Sequence, residues 1–490
     1  MKTIRCFGTL ALLAHVAGCM VGPDYQRPNP SAPSAWGELR LGAAGELPSQ
    51  PGPQDVVDAW WTQFDDPLLS SLVERAVRAS PDADQAEARV RAARAARDVV
   101  RGALAPSVGA SADYTRARSS DHGPGTSATQ GRWSDLFQTG FDASWELDVF
   151  GGIRRSVEAA DATAEAAAED RNAVLLSLMA EVARNYVEYR SVEHRLDLVH
   201  RNLDAQQKTF ELTKRLMAAG LAPELDVARA ESQVATTASS IPQFEALSAQ
   251  AMHALSVLAG EEPMALHDEL EPAAPIPSPP ALVGLGLPSE LLLRRPDVRR
   301  SERELAAATA EIGVSTSDLL PRFVITGATG LESVSARSFF DASSAVASVG
   351  PSIVWPVFQG GRIRANVALK TAQQEEAFAA YRAAVLQAFQ EVEDALAAFS
   401  REQSRLTELR DAEHADQRAA DFAQRLYGQG LTDFLAVLDA ERSLFASQDA
   451  LAQSQRDVDL DLVALYKAVG GGWQTATLSM SQDVGPQAER

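Results

Sequence analysis

Residues 219–231 read AGLAPELDVARAE and residues 429–441 read QGLTDFLAVLDAE, two stretches about 210 residues apart. Glycine, two leucines, valine, alanine and glutamate recur at matching positions. Each stretch interrupts a long helical pattern at a Gly-Leu step. Self-similarity at a fixed spacing usually reports the architecture of a chain before any motif reports its chemistry. The two stretches therefore predict a duplicated structural unit.

The same elements surround both stretches in the same order. A helical pattern opens at Pro81 in copy one and at Pro296 in copy two, and it stops at Pro106 and Pro321. Two alternating stretches and a glycine-rich corner come next, and the long helical run follows. The repeated unit is therefore a helix, a β-hairpin and a pair of long helices. The corners read Phe150-Gly151-Gly152 and Phe358-Gln359-Gly360-Gly361.

Apolar residues recur at every seventh position of both long helical runs. Such a repeat keeps one apolar seam against a partner helix and predicts left-handed supercoiling. Residues 153–218 and 362–427, each taken as one helix, would be roughly 100 Å long at about 1.5 Å per residue. Alanine at many remaining positions favours a closed helical tube over a two-stranded coiled coil. The seams are Leu175, Val182, Tyr189, Leu196, Leu203, Phe210 and Met217, and Phe378, Val385, Val392, Phe399 and Leu406.

Four alternating stretches lie between the helices, at residues 108–114, 137–147, 323–331 and 346–357. Segments of about ten residues with period two that end in aromatics are typical of transmembrane β-strands. The alternative is a pair of soluble hairpins that cap a helical bundle. An interfacial girdle would contain Trp145, Phe150, Trp355 and Phe358.

Four strands are too few to close a barrel, because a barrel with a usable interior needs about eight or more. Open strand edges in lipid would leave backbone groups unpaired, at several kcal/mol each. Membrane-spanning strands in this chain therefore require several chains to pool them, and three chains would supply twelve strands.

Charge and composition exclude several classes of protein. The formal charge is −21 and no basic patch occurs, which argues against nucleic-acid binding. No apolar run after the N-terminus is long enough for a transmembrane helix. The histidines show no metal-ligand spacing, and Gly284-Leu285-Gly286 runs into a proline, so we predict neither an enzyme nor a cofactor site. Three acids, Glu391, Glu393 and Asp394, are interpreted as a solvated helix face.

The N-terminus has the pattern of a secretory signal. Lys2 and Arg5 precede an apolar stretch at 7–17, and small residues lead to Cys19. The cysteine at the cut resembles a bacterial lipobox, in which the thiol is diacylated and becomes the new N-terminus. Ordinary cleavage beside an incidental cysteine is the alternative. Cys6 would leave with the signal, and a lone mature cysteine cannot form an internal disulfide.

The predicted organisation follows from the repeats and the proline-rich stretches. A signal peptide at 1–18 precedes a lipidated, extended arm at 19–60. These are followed by a first repeat at 61–260, a proline-rich linker at 261–288 that is too rigid and polar for a core element, a second repeat at 289–472 and a flexible tail at 473–490.

Several motifs together resemble a known family. Residues 21–25 read VGPDY, Trp60-Trp61 precedes Asp66-Pro67, residues 145–151 read WELDVFG, and residues 438–440 read LDA. In these motifs the chain resembles the NodT-type lipoprotein outer-membrane factors, which are the TolC-like and OprM-like channels of efflux systems.

The resemblance implies an α+β fold and a location in the outer membrane of a Gram-negative bacterium. A homotrimer would form a twelve-stranded β-barrel, four strands per chain, continuous with a long periplasmic α-helical barrel. It would dock to a periplasmic membrane-fusion adaptor and an inner-membrane RND-type pump, and export small molecules such as drugs. A duct for type I protein secretion and a non-conducting structural coiled-coil lipoprotein are the alternatives. The implied modification is an N-acyl and S-diacylglycerol lipid on Cys19, with no other cofactor.

The turns at Gly220 and Gly430 are the natural place for a periplasmic gate, since they are the breaks in the seven-residue seams. In relatives, an aspartate matching Asp439 and a leucine matching Leu435 form constrictions at the periplasmic tip. Arg442 follows Asp439 by three residues. Three copies of one carboxylate near an axis would repel each other and tend to bind cations or retain protons.

Two further residues belong to the predicted gate. Tyr427 matches a tyrosine that hydrogen-bonds the neighbouring hairpin in relatives, where the aspartate matching Asp226 lies. The counterpart of Asp226 in the second copy is Ala436, so the two turns are not chemically equivalent. The alternative is that Asp226 and Asp439 are solvated acids near helix starts and that Tyr427 only packs in the seam.

Overall fold

The computed structural model describes residues 20–38, 58–122, 131–277 and 288–474. The predicted signal peptide, Cys19 and most of the predicted tail lie outside these residues. The chain divides into two compact units, one with residues 1–29, 89–167 and 300–381, the other with residues 30–88, 168–299 and 382–490.

The duplication is visible in the order of the elements. Each copy contains a helix of 22 residues, two strands, a helix of 67 residues and a shorter returning helix. In chain order the elements are α1 (Pro67–Ala79), α2 (Pro81–Gly102), β1 (Ser107–Arg118), β2 (Trp133–Leu147), α3 (Gly152–Ala218), α4 (Glu224–Leu258), α5 (His267–Leu270), α6 (Pro288–Arg294), α7 (Pro296–Ser317), β3 (Arg322–Ser333), β4 (Ala345–Val354), α8 (Arg362–Gly428) and α9 (Phe434–Val469).

The predicted helix starts are confirmed. Pro81 and Pro296 are the first residues of α2 and α7, where a missing backbone N–H costs nothing. The Asp66 side chain caps α1 and accepts hydrogen bonds from the backbone N–H of Leu68 and Leu69 at 2.9 and 3.0 Å. Among the described residues, no helix has the length and apolar character needed to cross a membrane.

The four strands form one antiparallel sheet in the order β1-β2-β3-β4. The hairpins of the two copies are joined in this sheet, because β2 pairs with β3. The predicted strand at 346–357 ends early, at Val354. Pro356 lacks the N–H that a further ladder bond would need.

The register of the sheet separates an apolar face from a polar face. Val108 lies opposite Ala143, and Phe141 lies opposite Thr329, so these side chains share one face. Most positions of this face are apolar or aromatic and exposed in the single chain. The opposite face is mostly polar or glycine, with Leu136, Val324, Ala328, Val346 and Val354 as its larger apolar members. Its polar and glycine residues include Ser107, Gly109, Ser111, Asp113, Gln138, Gly140, Asp142, Ser144, Glu146, Thr326, Gly330, Glu332, Ser348 and Ser352.

Aromatic residues lie at both ends of the sheet. At the end near the glycine corners, Trp145 Nε1 donates to the Leu104 carbonyl at 3.0 Å, and Trp355 Nε1 donates to the Leu319 carbonyl at 3.1 Å. These duplicated bonds hold two of the predicted girdle residues. The second aromatic group, at the opposite end, was not predicted, because its members are spread over two strands and a loop. It contains Tyr114, Trp133, Phe137, Phe339 and Phe340.

The two long helices end in the same backbone motif. Gly220 and Gly430 have φ angles of +74° and +72°. The N–H of the following leucine bonds back to the carbonyl five residues earlier, at 2.8 Å in copy one and 2.9 Å in copy two. This is the Schellman arrangement, which satisfies the last carbonyls of a helix and requires a left-handed residue.

Two glycines near the second turn should respond in opposite directions to alanine. Gly430→Ala places a Cβ on a left-handed residue and should cost about 1 kcal/mol, although nothing lies within 4 Å of that Cβ. Gly428 is the last residue of α8 and has equally open space, so Gly428→Ala should stabilise by about 0.5 kcal/mol. Thermal unfolding of the two variants checks the signs, and a gain from Gly430→Ala would contradict the turn assignment.

The proline-rich segment at 261–288 is not excluded from the core, contrary to expectation. Leu266 and Leu270 are fully buried around the short helix α5. The Tyr189 hydroxyl and the Arg190 guanidinium both donate to the Leu270 carbonyl, at 3.2 and 3.1 Å. The prolines forbid a longer helix, but the leucines between them still bury apolar surface.

Candidate functional site

The candidate site consists of two helical hairpins in the second unit. Hairpin one is the tip half of α3 with α4, and hairpin two is the tip half of α8 with α9. The hairpins share their turn geometry but differ in how the returning helix begins. Pro223 caps α4 without a side-chain bond, whereas the Asp433 carboxylate caps α9 by accepting from the Ala436 N–H at 3.0 Å.

Tyr427 lies in an apolar cluster at the base of the second turn. Its ring is 6% exposed, and its centroid is 5.6 Å from that of Phe434. Its hydroxyl lies 3.5 Å from Thr213 Oγ1 on α3. Burial raises the pKa of Tyr427, the Thr213 hydroxyl lowers it somewhat, and the negative charge of Asp226 raises it further. The structure therefore brings Tyr427 and Asp226 close enough to interact, and Thr213 is the hydrogen-bond partner that the sequence did not indicate.

Leu435, Asp439 and Arg442 lie on α9 and are exposed in the single chain. Arg442 Nε donates to Gln233 Oε1 on α4 at 2.9 Å, which links the two hairpins. The Asp439 side chain has no hydrogen bond or ion pair to any residue in the described part of the chain. An exposed carboxylate one turn from an exposed leucine is available to a surface outside this chain. The roles of these residues as a gate stay a prediction.

Glu441 is a buried polar residue of the site that sequence reasoning did not single out. Its side chain is 8% exposed, and Oε1 accepts from Thr209 Oγ1 at 2.8 Å and from Gln424 Nε2 at 2.9 Å. It therefore joins α3, α8 and α9. Its counterpart in copy one, Glu231, is exposed. The shared glutamate of the two turn stretches was the available signal, but the sequence did not show that only one copy is buried.

The three acids interpreted as a solvated face are not all solvated. Glu391 Oε2 pairs with the buried Arg295 guanidinium at 2.6 Å. Glu393 accepts from the backbone N–H of Gly37 and Glu38 at 2.6 and 3.0 Å. The Glu393 carboxylate on α8 thus caps a turn of the N-terminal arm. The interpretation is wrong for these two residues, because their partners are distant in sequence.

The first described residues of the arm are fixed within the first unit. The buried Arg155 side chain donates to the Val21 carbonyl at 3.1 Å and to the Asp24 carboxylate at 2.6 Å. The Val21 N–H donates to the Phe150 carbonyl at 3.1 Å. Gly22, at φ +88°, packs against Gly313 so closely that a Cβ would lie 2.4 Å from the Gly313 Cα. Arg155 therefore fixes the chain that immediately follows Cys19.

A second set of contacts holds Tyr25. Its hydroxyl donates to the Glu302 carboxylate, and the Arg303 guanidinium donates to the same carboxylate. Burial alone would raise the pKa of Glu302, but the hydrogen bonds from Arg303 and Tyr25 outweigh it and lower that pKa. The VGPDY stretch is therefore a docking sequence for the arm. Within the described ranges, with their gaps at 39–57, 123–130 and 278–287, no group of three or more His, Cys, Asp or Glu could hold a metal ion.

Comparison with known proteins decides the family. Residues 72–261 and 287–471 match the family model described as outer membrane efflux protein. The chain belongs to this family. The two matched ranges follow the two structural repeats.

Named relatives and solved structures agree with that assignment. The chain is 33% identical over 471 residues to the toluene efflux pump outer membrane protein TtgF of Pseudomonas putida, covering 95% of this chain and 96% of the relative. It is 34% identical over 448 residues to the pyoverdine export outer membrane protein OpmQ of Pseudomonas aeruginosa, covering 91% and 92%. A structure of the outer-membrane channel OprN matches with a TM-score of 0.87 and 37% identity, covering 93% of this chain and all of that one.

The efflux protein therefore has the predicted fold and function. It is a channel protein of the outer membrane that serves efflux, and its α+β fold with four strands per chain is confirmed. The resemblance drawn from the arm, the corner and the turn motifs is also confirmed, since Nodulation protein T of Rhizobium leguminosarum is 30% identical over 459 residues.

Proposed function

We propose that three copies of the efflux protein form a gated duct through which small molecules leave the periplasm. The observation that carries this proposal is the sheet, which has one apolar face, one polar face and two unpaired edges, β1 and β4. A sheet with these faces fits a membrane only as a wall with lipid on one side and water on the other.

The free edges require other chains. Each unpaired N–H or C=O in hydrocarbon costs several kcal/mol, so the β1 edge of one copy must meet the β4 edge of another. Three copies reach a closed ring of twelve strands, which is within the range of known barrels. Two seam residues, Met217 and Phe378, are about two fifths exposed in the single chain, and packing against neighbouring copies would cover them. The role needs no catalytic centre.

Partners of the efflux protein are inferred from its turns. Leu221 and Leu431 are 75% and 70% exposed, and Leu225 and Leu435 are exposed four residues later. An apolar pair repeated at both turns presents a surface that suits a periplasmic adaptor with helical hairpins. The adaptor would connect the duct to an inner-membrane RND-type pump, where the exported compounds are selected.

The gate is proposed to consist of Asp439 and Leu435 at the axis, with Arg442, Asp226 and Tyr427 holding the hairpins around them. The exposure of Asp439 and Leu435 and the Arg442–Gln233 bond support this assignment. Three carboxylates brought together repel each other, so the closed ring should favour bound cations or retained protons.

Asp439→Ala should raise the conductance of purified protein in planar bilayers. Wild type should show a small, mostly closed pore, because the carboxylates narrow the axis. We expect the conductance to rise severalfold, because a loss of about 1 kcal/mol from the closed state changes the ratio of open to closed channels about fivefold. Asp411→Ala, an exposed acid on α8, changes the charge equally and should leave the trace unchanged. An unchanged current trace for Asp439→Ala would contradict the gate assignment. The absence of conductance in every sample would contradict the proposal that the protein is a channel.

Lipidation at Cys19 is proposed from the lipobox and from the docked arm. Since Val21 bonds to Phe150 beside the end of β2, acyl chains on Cys19 would lie at the level where the sheet ends. Mass spectrometry of the membrane-extracted protein should show the mass of three acyl chains and a glycerol linkage above that of residues 19–490. Cys19→Ala should lack this mass, and a wild-type mass equal to the bare polypeptide would refute the lipobox.

A further inference from the structure

A groove in the first unit lies where the helices meet the sheet. Its volume is about 620 Å³, within the range of roughly 300–1,000 Å³ that is usual for small-molecule sites. The groove is lined by α2, the start of α3, the end of α7 and the adjoining ends of β2 and β3. Of the described residues that line it, none belongs to the edge strands β1 and β4. The groove therefore lies within one chain and not at a joint between copies.

The groove opens on the polar side of the sheet. Glu146 and Arg322 line it, and both belong to the polar face, since Glu146 lies opposite Val324 and Arg322 lies opposite Val354. In the proposed duct the polar face borders water and the apolar face borders lipid. The groove is therefore part of the inner wall of the duct, at the point where the helical segment continues into the strands.

The floor of the groove is apolar. Its hydroxyl groups donate their protons to carbonyls of their own helices, so they have no proton left for a solute. These bonds run from Ser156 to Gly152 at 3.1 Å, from Thr163 to Ala159 at 2.8 Å and from Ser317 to Val314 at 2.7 Å. The remaining floor is aliphatic and includes Ala93, Ala96, Val100, Ile153, Ala159 and Ala160.

Most charged groups of the groove are paired with an opposite charge. The Arg97 guanidinium bonds to Asp98 at 2.8 Å, and Arg322 bonds to Asp318 at 2.6 Å. Glu311, which also lines the groove, pairs with Lys370 at 3.2 Å. These pairs leave neither a free cation nor a free anion.

Glu146 differs from the other charged groups of the groove. It is half-buried, and its carboxylate makes no hydrogen bond or ion pair to any residue that the structure describes. The five charged residues that line the groove comprise two arginines and three acids, so one negative charge is uncompensated. A half-buried charge is screened by salt less than an exposed one and attracts a counter-charge more strongly.

We propose that this groove binds organic cations with an apolar body, and that Glu146 holds their positive charge. The aliphatic floor accepts the body of the molecule, and the uncompensated carboxylate selects the sign of its charge. Anions are disfavoured, because the two arginines are already paired and the hydroxyls have no proton to donate. This inference rests on the proposed duct, whose inner wall contains the groove, and it assigns one class of solute to that duct.

Two probes of opposite charge test the proposal. Tetraphenylphosphonium and tetraphenylborate have nearly the same size and shape, so a difference in their binding reports charge alone. Equilibrium dialysis against the protein in nanodiscs, with empty nanodiscs subtracted, measures both ions without any need for conduction. Wild type should bind the cation roughly tenfold or more tightly than the anion, since one carboxylate attracts the first ion and repels the second. Added salt should reduce this difference.

Glu146→Gln should weaken binding of tetraphenylphosphonium by roughly five- to tenfold, the factor for about 1–1.4 kcal/mol. Glu332→Gln is the matched control, because it removes the same charge from the same face at the far end of the sheet, where Glu332 lies opposite Gln138. It should bind the cation as wild type does. Ala160→Phe fills the groove from its floor and should abolish binding. Thermal unfolding of each variant shows that it is folded.

The outcomes separate the groove from the duct. Equal binding of the two probe ions to wild type would overturn the proposal, and so would wild-type affinity in Glu146→Gln or an equal loss in Glu332→Gln. If the protein conducts in bilayers but binds neither probe, the groove is overturned and the duct stands. If the probes bind as expected and no sample conducts, the duct fails and the cation site stands.

Discussion

Asp459→Asn is expected to stabilise the efflux protein by several kcal/mol above pH 8 and to have little effect near pH 4. Asp459 lies on α9, is 1% exposed, and neither carboxylate oxygen accepts a hydrogen bond from a described residue. Burial raises the pKa of Asp459 from 3.8 to about 8. Each pKa unit corresponds to about 1.4 kcal/mol between the two protonation states, so the ionised form of Asp459 strongly destabilises the folded protein.

The direction of the pH dependence follows from proton binding. Between about pH 4 and pH 8 the folded protein keeps the Asp459 proton, whereas the unfolded chain releases it. Stability therefore falls as the pH rises through this window and levels off above it. Asparagine has nearly the same shape and no charge at any pH, so the variant should lack this part of the slope. No donor in the described part of the chain explains why an aspartate occupies this position.

Unfolding of the detergent-solubilised protein between pH 4 and pH 9 measures the effect. Some slope should remain in Asp459→Asn, because burial and the negative charges of Glu402 and Asp457 raise the pKa of Asp461 to about 6. Asp457→Asn is the control two residues away. Asp457 pairs with Arg456 at 2.7 Å, so its loss should cost less than about 1 kcal/mol. Equal pH profiles for wild type and Asp459→Asn would contradict the burial of an unpaired carboxyl.

Arg155→Met should release the first residues of the arm. The Arg155 side chain is 2% exposed and bonds to the Val21 carbonyl, to Asp24 and to Glu158. Methionine retains the apolar stem but loses the guanidinium, so the variant should lose about 2–4 kcal/mol of arm binding. The cost stays below that of a fully buried ion pair, because Asp24 and Glu158 can return to water.

Limited proteolysis of residues 20–29 is the direct measurement. Arg154→Met is the matched control on the same helical turn, since the Arg154 guanidinium bonds to the side chain and the carbonyl of Asp148 and to no other described residue. It should leave the arm protected, and Arg155→Lys should give an intermediate result because an ammonium cannot reproduce the two-pronged contact. If the arm of Arg155→Met stays as protected as that of wild type, Gly22 and Tyr25 hold it without the arginine.

Most secondary structure was predictable because it depends on patterns among residues that are close together in the sequence. The limits of α3 and α8 match the predicted runs within one residue, since each run is bounded by glycines and filled by a seven-residue pattern. The strands were predictable from period two. The errors concern the partners of residues distant in sequence: Leu270 in the proline-rich segment is buried, and Glu393 caps the arm some 350 residues away. No local pattern carries that information.

The candidate site shows the same division. The positions of Tyr427, Leu435, Asp439 and Arg442 at the second turn followed from the duplication and the resemblance. Their environments did not follow, because burial depends on which helices pack together. The Tyr427 hydroxyl lies 3.5 Å from the Thr213 hydroxyl on α3. The seam position of Tyr427 predicted packing but did not indicate a hydrogen-bond partner.

The sequence by itself determined the repeated unit, the limits of the long helices, the number and faces of the strands and the membership of an efflux family. All of these depend on residues close together in the chain or on order along it. Only the tertiary structure decided that Glu441 is buried while Glu231 is exposed, and that Asp459 is an unpaired acid. The two copies have the same local pattern but different neighbours, since Glu441 on α9 packs against α3 across the copies, whereas Glu231 on α4 is exposed. Packing between distant helices thus gives two similar sequences different chemistry.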